Sequence, residues 1–189
     1  MARLKPLPQL WLISDARNDA ALEHALARLP RGSGFIFRHY HLAPAARRAR
    51  FAELARLARA RGHVTALSGS RRQAQAWHAD LAYGPRGDLV PVHCLRELAR
   101  AQGAAGAGGA AAVLISPVFA TRSHPGAGPL GPLRFRLLAA RALVPVIALG
   151  GMNRRAASRL DWTRWAAIDA FLPAGGRARI LDADSRRGA

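Results

Sequence analysis

Short apolar runs rich in β-branched residues recur along this chain, and stretches of helical period lie between them. That alternation constrains the fold more than any other feature. A strand that is followed by a helix before the next strand cannot return as a hairpin, so successive strands run parallel. Residues 10–15, 34–40, 63–67 and 79–83 read as the first four strands. Residues 89–93, 111–118, 144–149 and 166–171 read as the next four. Several of these runs, such as Val113-Leu-Ile115, are apolar without interruption, as expected of strands buried on both faces.

The helices follow from spacing and punctuation. Leu22, Ala25, Leu26 and Leu29 give the i, i+3, i+4, i+7 pattern of a helix over residues 19–29, with Asn18 as its N-cap. Pro44 opens a helix over residues 45–61, and Gly62 ends it. Shorter helices are expected over 71–78, 95–101 and 133–143, and Asn153 caps one through Leu160. Residues 103–109 form a small-residue linker.

Eight strands with a polar, Gly- and Pro-rich loop late in the order fit a TIM (β/α)₈ barrel, whose phosphate site commonly uses the loops after strands seven and eight. At 189 residues the chain is short for that fold, which typically takes about 250. The shortening is visible in two places. Between Tyr83 and Leu89 only Gly-Pro-Arg-Gly-Asp remains, too little for a crossover helix. The fourth helix therefore reads as deleted, with the barrel distorted or partly open there, and the eighth helix as vestigial. Residues 1–175 form one domain in this reading, and the Arg-rich stretch 176–189 frays.

Composition removes several function classes. The net charge is +18, with Lys5 the only lysine. The arginines are scattered over every expected helix and are not interleaved with aromatics, so a nucleic-acid partner is disfavoured despite the charge. No run is long enough to span a membrane, and the N-terminus lacks the apolar region of a signal peptide. The single cysteine, Cys94, excludes an internal disulfide and fits a cytoplasmic protein; it is expected to be a buried small hydrophobe.

Candidate site residues gather at strand ends. Thr121, Arg122, Ser123 and His124 put two hydroxyls, a guanidinium and an imidazole within four residues, a set suited to a phosphate or pyrophosphate. Gly150 and Gly151 allow close backbone approach to a phosphate. Arg38 ends the second strand and points into the barrel mouth, while its neighbour His39 faces outward. His93 ends the fifth strand, and an imidazole titrating near neutral pH is suited to moving protons. Trp162 and Trp165 read as core packing.

The run Ser116-Pro-Val-Phe-Ala-Thr-Arg-Ser-His-Pro-Gly126 resembles the pyrophosphate loop of the thiamine phosphate synthase/TenI superfamily. Pro145-Val-Ile-Ala-Leu-Gly-Gly-Met152 resembles its glycine turn for a thiazole phosphate. The resemblance implies a TIM barrel that takes a small phosphorylated thiazole or pyrimidine ligand, and a homo-oligomer is left open. It implies two activities: transfer joining aminopyrimidine pyrophosphate to thiazole phosphate, or isomerisation of a thiazole. His93 stands in Val-His-Cys where the tautomerase has a proton-moving histidine. The family's magnesium-side residues are replaced here by Gly69 and Ser70, and Asp88 is the one carboxylate in the shortened loop. The resemblance therefore implies no magnesium cofactor and leaves three readings: tautomerase-like chemistry, the synthase, or a non-catalytic ligand-binding barrel. Asp169, where the family has a serine-bearing turn, would repel a phosphate if it pointed inward.

Overall fold

The computed structural model describes residues 6–103, 109–121 and 128–171. Eight parallel strands close into a barrel in chain order. They are β1 (Leu10–Ile13), β2 (Gly34–Phe37), β3 (Val64–Ser68), β4 (Leu81–Tyr83), β5 (Leu89–Val92), β6 (Ala112–Ile115), β7 (Val146–Ala148) and β8 (Trp165–Ala167). Outside them lie α1 (Leu22–Arg28), α2 (Pro44–Ala60), α3 (Arg71–Ala76), α4 (Leu95–Gly103), α5 (Gly131–Ala139) and α6 (Arg154–Leu160). A 3₁₀ segment, Ala16–Ala21, precedes α1. The shortened TIM barrel read from the sequence is the fold observed. The segments where the linker and an eighth helix were expected fall largely outside the described residues.

Alternation along the strands sorts the core into layers. Trp11, Ile13, Ile36, Val64, Ala66, Leu89, Leu114, Ile147 and Ala166 form one cluster that fills the barrel interior. The intervening residues face the helices in two outer clusters. One holds Leu12, Phe35, Phe37 and Leu67 with α1 and α2. The other holds Val92, Ile115 and Ala148 with α4, α5 and α6. Phe135 and Trp162 meet edge to face in this second layer, so Trp162 packs in the core, as does Trp165.

Two local expectations are corrected. Asn18 is not the helix cap. Asp15 caps the 3₁₀ segment, its side chain accepting from the Arg17 N–H. Asn18 is buried and its Nδ2 donates to the carbonyls of both Ile13 and Ile168, each at 3.0 Å. One amide thus fastens the ends of β1 and β8, where the barrel closes on itself.

The barrel is also not open where the helix is missing. β4 and β5 pair through one register position, Tyr83 with Leu89. Asp88 reinforces this thin seam. Its N–H donates to the Ala82 carbonyl, and its carboxylate accepts from the Ala82 N–H, each at 2.8 Å. Arg71 Nε donates to the same carboxylate at 2.8 Å, and Arg71 Nη2 donates to the carbonyls of Gly87 and Gly109. A Cβ on Gly87 would lie 2.5 Å from the Ala82 carbonyl oxygen, so the five-residue return is tight enough to need glycine there. Side-chain hydrogen bonds here do the bridging that a helix does elsewhere in the fold.

Candidate functional site at the barrel mouth

A cavity of about 530 Å³ opens at the carboxyl ends of the strands. Five of the sequence-predicted residues line it: Arg38, His93, Thr121, Gly150 and Gly151. Arg122, Ser123 and His124 lie outside the described residues. The remaining walls include Tyr40, Tyr83, Ser116, Met152, Asn153 and Asp169.

The β2 side is built by alternation. Ile36 faces inward, so Arg38 and Tyr40 follow it into the mouth, with the Arg38 guanidinium 5.8 Å from the Tyr40 ring centre. The Arg38 N–H donates to Ser14 Oγ at 2.8 Å, which holds the strand end to β1. Arg47 on α2 braces it from outside: Nε donates to the Arg38 carbonyl and Nη2 to the Ser68 carbonyl, tying β2 to β3. The Tyr40 hydroxyl meets Ser68 Oγ across the same two strands. Tyr83 stands beside them, and burial raises its phenol above the ordinary value.

His39 does face outward, but it is fully buried. Its ring stacks on Phe37, Nδ1 lies 2.8 Å from Ser14 Oγ, and Nε2 lies 2.9 Å from Asp19 Oδ1. Burial lowers its pKa from the ordinary value despite the Asp19 carboxylate. Ser14, His39 and Asp19 have the contacts of a nucleophile relay, yet Ser14 is wholly buried, and its hydroxyl instead anchors the end of β2 through the Arg38 N–H.

His93 follows β5 and turns inward. Its side chain is 54% exposed at the cavity rim. Nδ1 lies 2.9 Å from Glu97 Oε2, and the same oxygen accepts the His93 backbone N–H at 2.6 Å. Burial pushes the Glu97 carboxyl up, but these hydrogen bonds outweigh it and hold the group below the ordinary carboxylate range. Glu97 was missed in the sequence, although an acidic residue in the first turn of a helix, four positions after a histidine, was legible there. Cys94 is exposed, not buried; it stands in the turn just before α4, where its carbonyl accepts from the Leu98 N–H.

The opposite wall is two loops in close contact. Gly150 has φ +91° and Gly151 φ +64°. A Cβ on Gly150 would lie 2.6 Å from Pro117 Cα, and one on Gly151 would lie 2.6 Å from the Ala120 carbonyl oxygen. Glycine is therefore required to seat the turn after β7 against the loop after β6. The N–H groups of Val118 and Phe119 donate to the carbonyls of Leu149 and Gly150 across that contact. Asn153 caps α6 as expected, accepting from the Ala156 N–H at 2.9 Å. Asp169 lines the cavity, and its carboxylate adds to the Asp15 hydrogen bond that mainly raises the pKa of Arg17.

The Asp88 carboxylate, the one acid of the shortened loop, is committed to Arg71 and to the Ala82 N–H. Among the described residues no cluster of three or more His, Cys, Asp or Glu side chains is placed to hold a metal ion. No helix among them is long and apolar enough to cross a membrane.

A closed parallel eight-stranded barrel with its cavity at the strand carboxyl ends defines a TIM-barrel protein with a mouth site. Within that class, the chain belongs to the thiamine monophosphate synthase family, whose model matches residues 10–163. Among solved structures, a thiamine phosphate pyrophosphorylase from Pyrococcus furiosus superposes with a TM-score of 0.68 at 19% identity, covering 96% of this chain and 98% of that one. The citrate synthase SbnG superposes at 0.60 and 9% identity, covering 96% and 93%. A 2-keto-3-deoxy-6-phospho-gluconate aldolase from Zymomonas mobilis superposes at 0.54 and 13% identity, covering 85% and 82%. A search of curated proteins finds no match to the chain. At these identities the structural matches establish the barrel and not its chemistry.

Proposed function

We propose that the mouth binds a phosphorylated thiazole without magnesium, with the phosphate at the wall formed by Thr121, Gly150 and Gly151, and that His93 moves a proton on the bound ring. The observation that carries this reading is convergence. An imidazole, a guanidinium and the paired glycine and threonine loops, from four different strand ends, line one cavity. Its volume suits a single phosphorylated ring, since small-molecule sites commonly run from about 300 to 1,000 Å³. The step needs no oxidant or metal: a proton leaves one ring carbon, rests on the imidazole and is returned elsewhere on the same ring.

The second reading is the synthase that gives the family its name. Releasing pyrophosphate from a pyrimidine is helped by a magnesium ion held by oxygen ligands, usually one or two carboxylates besides the substrate's phosphates. The residues present do not fit that ion. Gly69 has no side chain, Ser70 caps α3 by accepting from the Gln73 N–H, and Asp88 is held in the β4–β5 seam. No step is therefore assigned to magnesium, and no nucleic-acid partner is proposed.

Calorimetric titration with thiazole phosphate, with and without magnesium, tests the choice. Saturable binding of equal strength in both conditions is the expected result. Binding that required magnesium would favour the synthase, and absence of binding in both would overturn the proposal.

A further inference from the structure

We infer that Glu97 is a positioning residue, which keeps the His93 proton on Nδ1 and presents Nε2 to the cavity as a proton acceptor; its catalytic meaning rests on the function proposed above. The argument starts from one oxygen. Glu97 Oε2 accepts the His93 backbone N–H at 2.6 Å and lies 2.9 Å from the ring Nδ1. Backbone and ring of one residue are thus held by a single acceptor, which fixes the side-chain rotation as well as its hydrogen bonding. A carboxylate in this position accepts and does not donate, so in the neutral ring the proton sits on Nδ1. The lone pair is then on Nε2.

The placement of the two residues gives that tautomer a direction. His93 is the residue after β5 and follows the inward phase of Leu89 and Pro91. Glu97 is on the first turn of α4, outside the cavity's lining residues, so it meets the ring from behind. A proton leaving a carbon of the bound ring, with its bonding electrons staying in that ring, would be taken up by Nε2. The resulting imidazolium keeps its Nδ1–H against the Glu97 carboxylate. Returning the proton to another atom of the ligand restores the starting ring. The arrangement leaves Glu97 out of contact with the ligand, which is why it is a positioning residue.

Glu97 also ties down the backbone ahead of α4 through the His93 N–H, so the test must separate holding a tautomer from holding that turn. Histidine-selective ¹⁵N labelling and long-range ¹H–¹⁵N spectra read which nitrogen of His93 carries the proton in the neutral ring, with His93→Ala assigning the signal. In the wild type, Nδ1 is expected protonated and Nε2 bare. Glu97→Ala is expected to shift the ring to a mixture with protonated Nε2 and to lower isomerisation by at most the roughly 10⁴-fold that a wrong tautomer costs a serine-protease histidine. Glu97→Gln keeps an oxygen for the His93 backbone N–H, but its amide can donate to Nδ1, so it is expected to hold the backbone while leaving the tautomer mixed and the rate low. A wild-type ring with its proton on Nε2, or an unchanged tautomer in a folded Glu97→Ala protein, would overturn the inference and leave Glu97 as a tie to the backbone before α4 alone. A tautomer that shifts as expected in a protein that isomerises nothing would uphold the positioning role and overturn the proposed function.

Discussion

His93→Ala is expected to abolish most isomerisation, lowering it by about 100-fold to 10,000-fold, while thiazole phosphate still binds. Positioned acid–base groups contribute rate increases of that order. The separation of rate from binding follows from the site. The proposed phosphate wall lies on the loops after β6 and β7, whereas the backbone and ring of His93 are held by Glu97. The side chain is half exposed, so removing it leaves no packed cavity and the fold should keep its stability. Initial rates and calorimetric affinity measured on the same preparation check both halves. Unchanged turnover in the variant would remove His93 from the chemistry and favour a ligand-binding barrel with no proton transfer at this residue.

Gly34→Ala should cost about 3 kcal/mol or more of folding stability, at the upper end of what overpacking usually costs. Gly34 pairs with Trp11 across β1 and β2, and the Trp11 ring lies over it in the barrel interior. A Cβ at position 34 would lie 2.1 Å from Trp11 Cε3 and 2.2 Å from Cδ2. The indole has no room to retreat. It is completely buried, and its Nε1 donates to the Pro8 carbonyl at 2.9 Å. Trp11→Leu in the same chain should recover part of the loss, so the two substitutions should be strongly non-additive. Urea unfolding of the two single variants, the double variant and the wild type measures this. A Gly34→Ala protein within about 1 kcal/mol of wild type would mean that the interior is looser than these contacts imply.

Gly34 also shows where sequence reading stops. The strand was legible because Phe35, Ile36 and Phe37 are apolar and Gly34 follows a turn. That the glycine makes room for a tryptophan from the neighbouring strand depends on register, which the sequence does not display. The inward phase of β2 was legible in part. Arg38 was placed in the mouth by alternation, and the same period of two reaches Tyr40, which was passed over although it lines the cavity. Asn18 has the composition of a cap, and a local rule assigned it as one. Its actual partners, Ile13 and Ile168, stand at opposite ends of the chain and meet only because the barrel closes. Asp88 was read as a leftover of a metal-binding loop, because the loop's length was visible and its hydrogen bonds were not. The two glycines after β7 were read for a phosphate, while their contacts show a second reason for glycine: there is no space for a side chain between that turn and the loop after β6. The family resemblance was legible in the later half of the chain because its loops have distinctive residue orders there, and the family match extends the relationship to residue 10.

The most direct measurement is a crystal structure of the protein with thiazole phosphate bound. The account predicts the phosphate against the backbone of Gly150 and Gly151 beside Thr121, and the thiazole ring within reach of His93 Nε2. A ligand bound with its phosphate on Arg38 and its ring turned away from His93, or bound outside the mouth altogether, would contradict it.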